Sequence, residues 1–236
     1  MLLPVPQLDS YFKPIKRDKG LYSVWGQFGV GKTYFALQTA LSYAKKGEHV
    51  LYIYTKPKLP SHQLQSLLTS QKNENQENCL NYQTFLRVYD FDELFSLLFQ
   101  LEFLFLKQKK GTGPTPSLLI VDNIINLYQL ELNPQKKEIN VDLNYSLNQM
   151  LGLLTYLIEE YDIDILLINN MSYADKGEGT IEHPAGGNVI DYWVPYSIKI
   201  QRTSKINQRK FVIKTPEDSD LTDGEFQFKL TDEGFQ

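Results

Sequence analysis

The stretch WGQFGVGKTYF, residues 25–35, constrains this chain more than any other. Gly26, Gly31, Lys32 and Thr33 satisfy the spacing G-x-x-x-x-G-K-[ST], and the flanks are the ones that spacing requires. Before it, LYSVW (21–25) is β-prone; after it, TYFALQTALSYAKK (33–46) sets Phe35, Leu37, Ala40, Leu41 and Ala44 at helical spacing and stops before Gly47. Strand, glycine loop and helix together make a phosphate cradle. Glycines let the backbone curl until successive N–H groups point inward, and the positive end of the following helix adds to that field. The nucleotide segment is therefore read as Gly26, Gln27, Phe28, Gly29, Val30, Gly31, Lys32, Thr33 and Tyr34. Lys32 is directed at the β- and γ-phosphates of the ligand, and the Thr33 hydroxyl at one position on Mg²⁺. The second half of such a site is an acid at the end of a buried strand. Asp122, closing LLIVD (118–122), fits that role as the other metal residue.

The remainder alternates strands with helices. HVLYIYT (49–55), FLRVYD (85–90), SLLIVDN (117–123) and DILLINN (164–170) read as strands; PSHQLQSLLTS (60–70), capped by Ser61, and residues 141–161 read as helices. KNENQENCLN (72–81) reads as a polar loop and residues 107–117 as a surface linker. Beyond Gly187, alternating segments with turn chemistry at INQ and DG predict short antiparallel strands. The expected fold is α/β, a mostly parallel central sheet flanked by helices with those antiparallel strands at the C-terminal end. Residues 1–20 form a short lead and 21–236 a single core domain.

Bulk properties narrow the setting. The net charge of −4 advertises no global affinity for nucleic acid, so any such contact needs a local patch. One cysteine, Cys79, excludes an internal disulfide and fits a reducing compartment. The first residues lack the pattern of a secretory signal, and a cytoplasmic protein is expected, or a nuclear one in a eukaryote. LFSLLFQLEFLFL (94–106) is too short to span a bilayer and carries Glu102; it reads as a buried helix, with a partner-facing surface as the alternative, and no membrane association is expected. His49, His62 and His183 lie too far apart for a Cys/His metal site.

Five segments, in order, resemble the RecA/RadA recombinase family and its short core-only paralogues of RadB type. They are LDSYFKPIKRDKGLYSVWGQFGVGKT, LLIVDNIINLY, LLTYLIEEYDIDILLINNM, HPAGGNVIDYW and KTPEDSDLTDGEFQFKLTDEG. The first two are common to many phosphate-loop proteins, and the last two discriminate. The resemblance implies a RecA-like ATPase core, ATP and Mg²⁺ as cofactors, a role in homologous recombination and DNA repair, and a recombinase or paralogous subunit as partner. Its C-terminal segment is similar to one that caps a neighbouring subunit's ATP.

The chain also departs from that family. Active members carry Asp-Thr-Glu-Gly after the second strand, and the glutamate polarises the attacking water. Here the words are IYTKP: Thr55 matches, but Lys56 stands at the glutamate position and Pro57 at the glycine. A protonated lysine cannot act as that base. General base catalysis contributes roughly 10²- to 10⁴-fold, or about 3–5 kcal/mol of barrier, so hydrolysis is expected to be weak or absent while binding survives. Lys56 is either an added clamp on the γ-phosphate or a solvated replacement. Asn170 occupies the position of the family's glutamine sensor, and the shorter amide implies weaker coupling to the loop beyond it; an ordinary strand-end polar residue is the alternative. No Phe-x-x-Ala plug is seen, which argues against a long homofilament.

By the same resemblance, DNA loops fall at 129–140, with Lys136 and Lys137, and at 172–188, with Lys176, Gly186, Gly187 and Asn188. Nearby acids offset those lysines. A stronger basic cluster is Lys199, Arg202, Lys205, Arg209 and Lys210, so Arg202, Arg209 and Lys210 join the DNA candidates, with single-stranded DNA as the ligand class. Two other functions stay open: a nucleotide-dependent protein interaction module that does not itself bind DNA, and a KaiC-like ATPase.

Overall fold

The computed structural model describes residues 1–12, 20–70, 76–111, 113–175, 180–215 and 223–236. Its frame is laid down by α1 (Pro6–Phe12), β1 (Leu21–Gly26), α2 (Lys32–Ala44), β2 (Val50–Tyr54), α3 (Ser61–Ser70), α4 (Gln76–Asn81), β3 (Gln83–Arg87) and α5 (Phe91–Lys109). There follow β4 (Leu118–Asp122), α6 (Asn126–Glu131), α7 (Lys137–Tyr161), β5 (Asp164–Ile168), β6 (Met171–Asp175), β7 (Thr180–Pro184) and α8 (Gly187–Trp193). The last strands are β8 (Tyr196–Arg202), β9 (Gln208–Lys214), β10 (Gly224–Thr231) and β11 (Gly234–Phe235).

Among the described residues the main sheet runs β11-β10-β9-β8-β1-β5-β4-β2-β3. From β8 through β3 the neighbours are parallel, and from β8 through β11 they are antiparallel. The expected α/β architecture is the one observed. Period-two alternation of fully apolar strands explains why helices cover both faces. Val50, Tyr52, Leu118, Ile120, Leu166 and Ile168 face one core with α2, while Leu51, Ile53, Leu119, Val121, Ile165 and Leu167 face the other with α5 and α7. Each fully buried Leu, Ile or Phe in these layers contributes about 1.5–3 kcal/mol relative to exposure. Leu3, Val5, Leu8 and Phe12 of the N-terminal lead pack into the first core.

Several expectations are corrected. Residues 76–81 of the predicted polar loop form α4. Helix α3 begins one residue early: the Leu64 N–H bonds to the Pro60 carbonyl, and Ser61 is already helical. The stretch 94–106 is only half buried. Leu94, Leu98, Leu101 and Phe105 reach the core, whereas Phe99, Phe103, Leu104 and Leu106 are exposed, because an all-round apolar helix lying on a sheet can bury one stripe only. Most of 129–140 is helical: α6 ends at Glu131 and α7 starts at Lys137, leaving a short turn stitched by Asn133 and Asn140 side chains. The predicted loop at 172–188 is largely an antiparallel pair, β6 with β7, in register from Met171 opposite Pro184 to Asp175 opposite Thr180. Its β-prone residues alternate, and pairing satisfies backbone groups that a loop would leave to water. Lys176 lies outside the described residues, as do residues 216–222 of the C-terminal segment.

Candidate nucleotide site at the carboxyl edge of the sheet

The loop after β1, the tip of β2, the tip of β4 and the tip of β5 meet at one edge, the carboxyl ends of the parallel strands, where open α/β sheets hold ligands. Gly26 and Gly31 shape the loop. Gly26, at φ +149°, lies so close to the Ile200 carbonyl that no Cβ fits, and Gly31, at φ +107°, starts α2 in the left-handed region. Among the described residues no side chain caps α2, which leaves its first-turn amides available as anion donors. Gln27, Phe28 and Gly29 are exposed at the tip, Val30 is buried, and Lys32, Thr33 and Tyr34 are half-buried. Lys32 Nζ donates to the carbonyls of Gly26 and Gln27, each at 2.8 Å. Burial first, and the Lys56 charge second, lower its pKa to about 8, with Asp122 acting in the opposite direction.

Asp122 is fully buried at the tip of β4. Its Oδ2 accepts from Thr33 Oγ1 at 3.0 Å, Tyr52 OH at 2.9 Å and Lys56 Nζ at 3.0 Å. Its Oδ1 accepts no aligned hydrogen bond among the described residues but lies 2.9 Å from the same ammonium. Lys56 Nζ also donates to Thr33 Oγ1 at 2.5 Å. Thr33 and Asp122, the two residues expected to share Mg²⁺, are thus brought together, with a cation from the chain itself already in contact with both. Mg²⁺ binds oxygen at about 2.0–2.1 Å in a strict octahedron, and in this arrangement an ion touching both residues would occupy the ground that Lys56 holds. The donor set as folded does not fit the metal.

Tyr52 is the site residue that sequence reading missed. It is fully buried, and burial, then the Asp122 charge and hydrogen bond, hold its phenol pKa well above the ordinary value. A signal existed: a tyrosine inside an otherwise apolar strand needs a polar partner for its hydroxyl.

The basic cluster is largely committed to other contacts. Arg202 Nη2 donates to the Phe28 carbonyl at 3.2 Å, and Arg209 Nε to the Val30 carbonyl at 3.2 Å. Burial, followed by Arg202 nearby, lowers the Arg209 pKa. Lys199 pairs with Glu182 at 2.7 Å and Lys210 with Glu225 at 2.7 Å, while Lys205 is exposed. A cavity of about 240 Å³ beside the loop is lined by Gln27, Met171, Glu182, Ile200, Gln201 and Arg202. Among the described residues its lining carboxylate is Glu182, the group that Lys199 neutralises.

Asn170 sits at the tip of β5 in a chain of amides. Asn123 Nδ2 donates to Asn170 Oδ1 at 2.8 Å, and Asn170 Nδ2 to Gln129 Oε1 on α6 at 3.1 Å. The Ala185 N–H closes onto the Asn170 carbonyl at 2.9 Å. The acid strand is thereby linked to the segment that leads into Gly186, Gly187 and Asn188 at the start of α8. Lys136 and Lys137 are exposed at the start of α7.

A model of the Rad51 family matches residues 6–236. A DNA repair and recombination protein RadB of Methanococcus maripaludis is 30% identical over 190 residues, covering 80% of each chain. A protein of the same description from Methanocaldococcus jannaschii is 25% identical over 197 residues, 83% of this chain and 84% of the relative. Another from Methanococcoides burtonii is 23% identical over 215 residues, 88% of each. Among the described residues, no helix is long and apolar enough to cross a membrane.

Proposed function

The chain belongs to the Rad51 family, and from that premise we propose that it is an ATP-binding recombinase paralogue that assists DNA repair and recombination with weak or no ATP hydrolysis. Its family is one of ATPases that generally use ATP and Mg²⁺. Its relatives, the RadB proteins, are described as DNA repair and recombination proteins. The observation that carries the reading is the pairing of a complete phosphate loop with a lysine in place of a water-activating carboxylate. The amides of residues 26–33 and Lys32 grip the phosphates, while Lys56, tied to Asp122 at 2.9 Å, has no lone pair with which to take a proton from water. Its partner is a family recombinase or a paralogous subunit, with which bound ATP shares an interface.

Single-turnover hydrolysis of labelled ATP, together with analysis of nucleotide that co-purifies with the chain, tests this. Stoichiometric ATP and slow or undetectable cleavage are expected. Turnover equal to that of an active recombinase would overturn the proposal.

A second reading, an interaction module whose partners alone touch DNA, is favoured by one observation: Arg202 and Arg209 donate to the phosphate loop, and Lys199 and Lys210 are neutralised by acids. Single-stranded DNA binding by the isolated chain, with and without ATP, separates the two readings.

A further inference from the structure

We infer that the Lys56 ammonium serves this protein as a resident cation for a bound triphosphate, so that ATP binds without a divalent metal. This rests on the nucleotide-binding reading above and adds a property to it.

The ammonium is held where a metal would bridge the site. It touches Thr33 Oγ1 at 2.5 Å and both oxygens of Asp122 at 2.9 and 3.0 Å. Its position is imposed by the backbone. Tyr54 is the register partner of Asp122, the Thr55 N–H bonds to the Asp122 carbonyl at 2.9 Å, and Thr55 Oγ1 exchanges hydrogen bonds with the Asn123 backbone at 3.1 Å. Residue 56 therefore leaves the sheet edge directly over the acid, and its side chain returns to it. Asp122 is 1% exposed at its side chain, so an opposite charge is the condition of its burial as an anion. Lys56 supplies that charge while remaining 39% exposed.

Charge counting agrees. Asp122, Lys32 and Lys56 together present one net positive charge to the phosphates. A carboxylate at position 56 with a divalent ion would present the same net charge. The substitution thus replaces an acid and its metal with one covalently attached cation, and it removes the strict octahedral shell along with the base.

The test uses the full chain and a fluorescent ATP analogue, N-methylanthraniloyl-ATP, titrated in excess EDTA and in excess Mg²⁺. Dissociation constants within about threefold of each other are expected for the unaltered protein, since the divalent ion has no site to complete. Lys56→Met should weaken binding in EDTA by about tenfold or more and recover at least part of it in Mg²⁺. Binding by the unaltered chain only in Mg²⁺ overturns the inference and leaves the nucleotide-binding reading intact. Binding in neither buffer overturns both. Equal EDTA affinity in Lys56→Met and the unaltered chain, with both folded by circular dichroism, removes Lys56 from the role. The unaltered chain alone decides the metal question, so a variant that does not fold leaves the test standing.

Discussion

The ring of Phe235 covers the α-carbon of Gly31: a Cβ at Gly31 would come within 2.7 Å of Phe235 Cζ and 2.9 Å of Leu230 Cδ2. The C-terminal strands thus clamp the start of α2 from above, and Gln38 completes the clamp by accepting from the Phe235 N–H at 2.8 Å. Phe235→Ala should cost about 3–5 kcal/mol of stability, in the range for a buried aromatic, and weaken ATP binding through a loosened loop. Gly31→Ala should be worse for ATP, since it adds left-handed strain to the clash. Denaturant melts beside nucleotide titrations check both; a Phe235→Ala protein with unchanged ATP affinity would show that the clamp supports the fold alone.

Lys56→Glu should make the fold metal-sensitive. The variant sets a second carboxylate against buried Asp122, so its melting temperature should drop in EDTA and rise again with Mg²⁺, unlike the unaltered chain. If only the base is missing, single-turnover hydrolysis should rise by up to roughly 10²- to 10⁴-fold. Differential scanning fluorimetry and labelled-ATP cleavage read the two effects separately.

ATP affinity should weaken as pH rises through the Lys32 pKa of about 8. The protonated amine is the form that neutralises phosphate, so the dissociation constant should climb by at most about tenfold per pH unit above that point. Lys32→Arg should flatten the profile, because a guanidinium stays charged. For stability the sign is opposite. Between about pH 8 and the ordinary lysine value of 10.5, the unfolded chain holds this proton and the folded chain does not, so this group's contribution to stability rises with pH across the window.

Charge reversal at Arg202 and Arg209 should be felt first by ATP. Each guanidinium donates to a loop carbonyl, Phe28 or Val30, and a carboxylate there would repel both the carbonyl and the phosphates. Weaker ATP binding with an unchanged salt slope for single-stranded DNA is the expected outcome. A shallower slope with intact ATP affinity would instead return this patch to the DNA surface.

Stability should decline above pH 10. Burial raises the phenol pKa of Tyr22, Tyr43 and Tyr52 well above the ordinary value, with Asp164 adding to the first two and Asp122 to the third. Stability from these groups is full below pH 10. Above it the unfolded chain releases protons that the folded chain keeps, costing up to about 1.4 kcal/mol per pH unit for each tyrosine. Urea melts at pH 9, 10 and 11 check the slope, with Tyr22→Phe expected to reduce it.

The sequence by itself determined the parts of this protein that are local. Glycine spacing between an apolar strand and a helix specified the strand–loop–helix turn, an aspartate closing an apolar run marked the tip of β4, and runs of β-branched and leucine residues specified buried parallel strands, because backbone dihedrals and side-chain period act over a few residues. It also showed that position 56 holds a lysine. Tertiary structure alone decided what that lysine touches. Strand order and the register of β2 on β4 bring Lys56 onto Asp122, 66 residues away, and place the Tyr52 hydroxyl on the same carboxylate. The same holds for Arg202 and Arg209, which reach the loop across 174 and 179 residues. It holds again for the antiparallel pairing of β6 with β7, which a composition rich in glycine and charge concealed. Hydrogen bonds and ion pairs form within about 3 Å in space, and sequence periodicity carries no coordinate for which strand lies beside which.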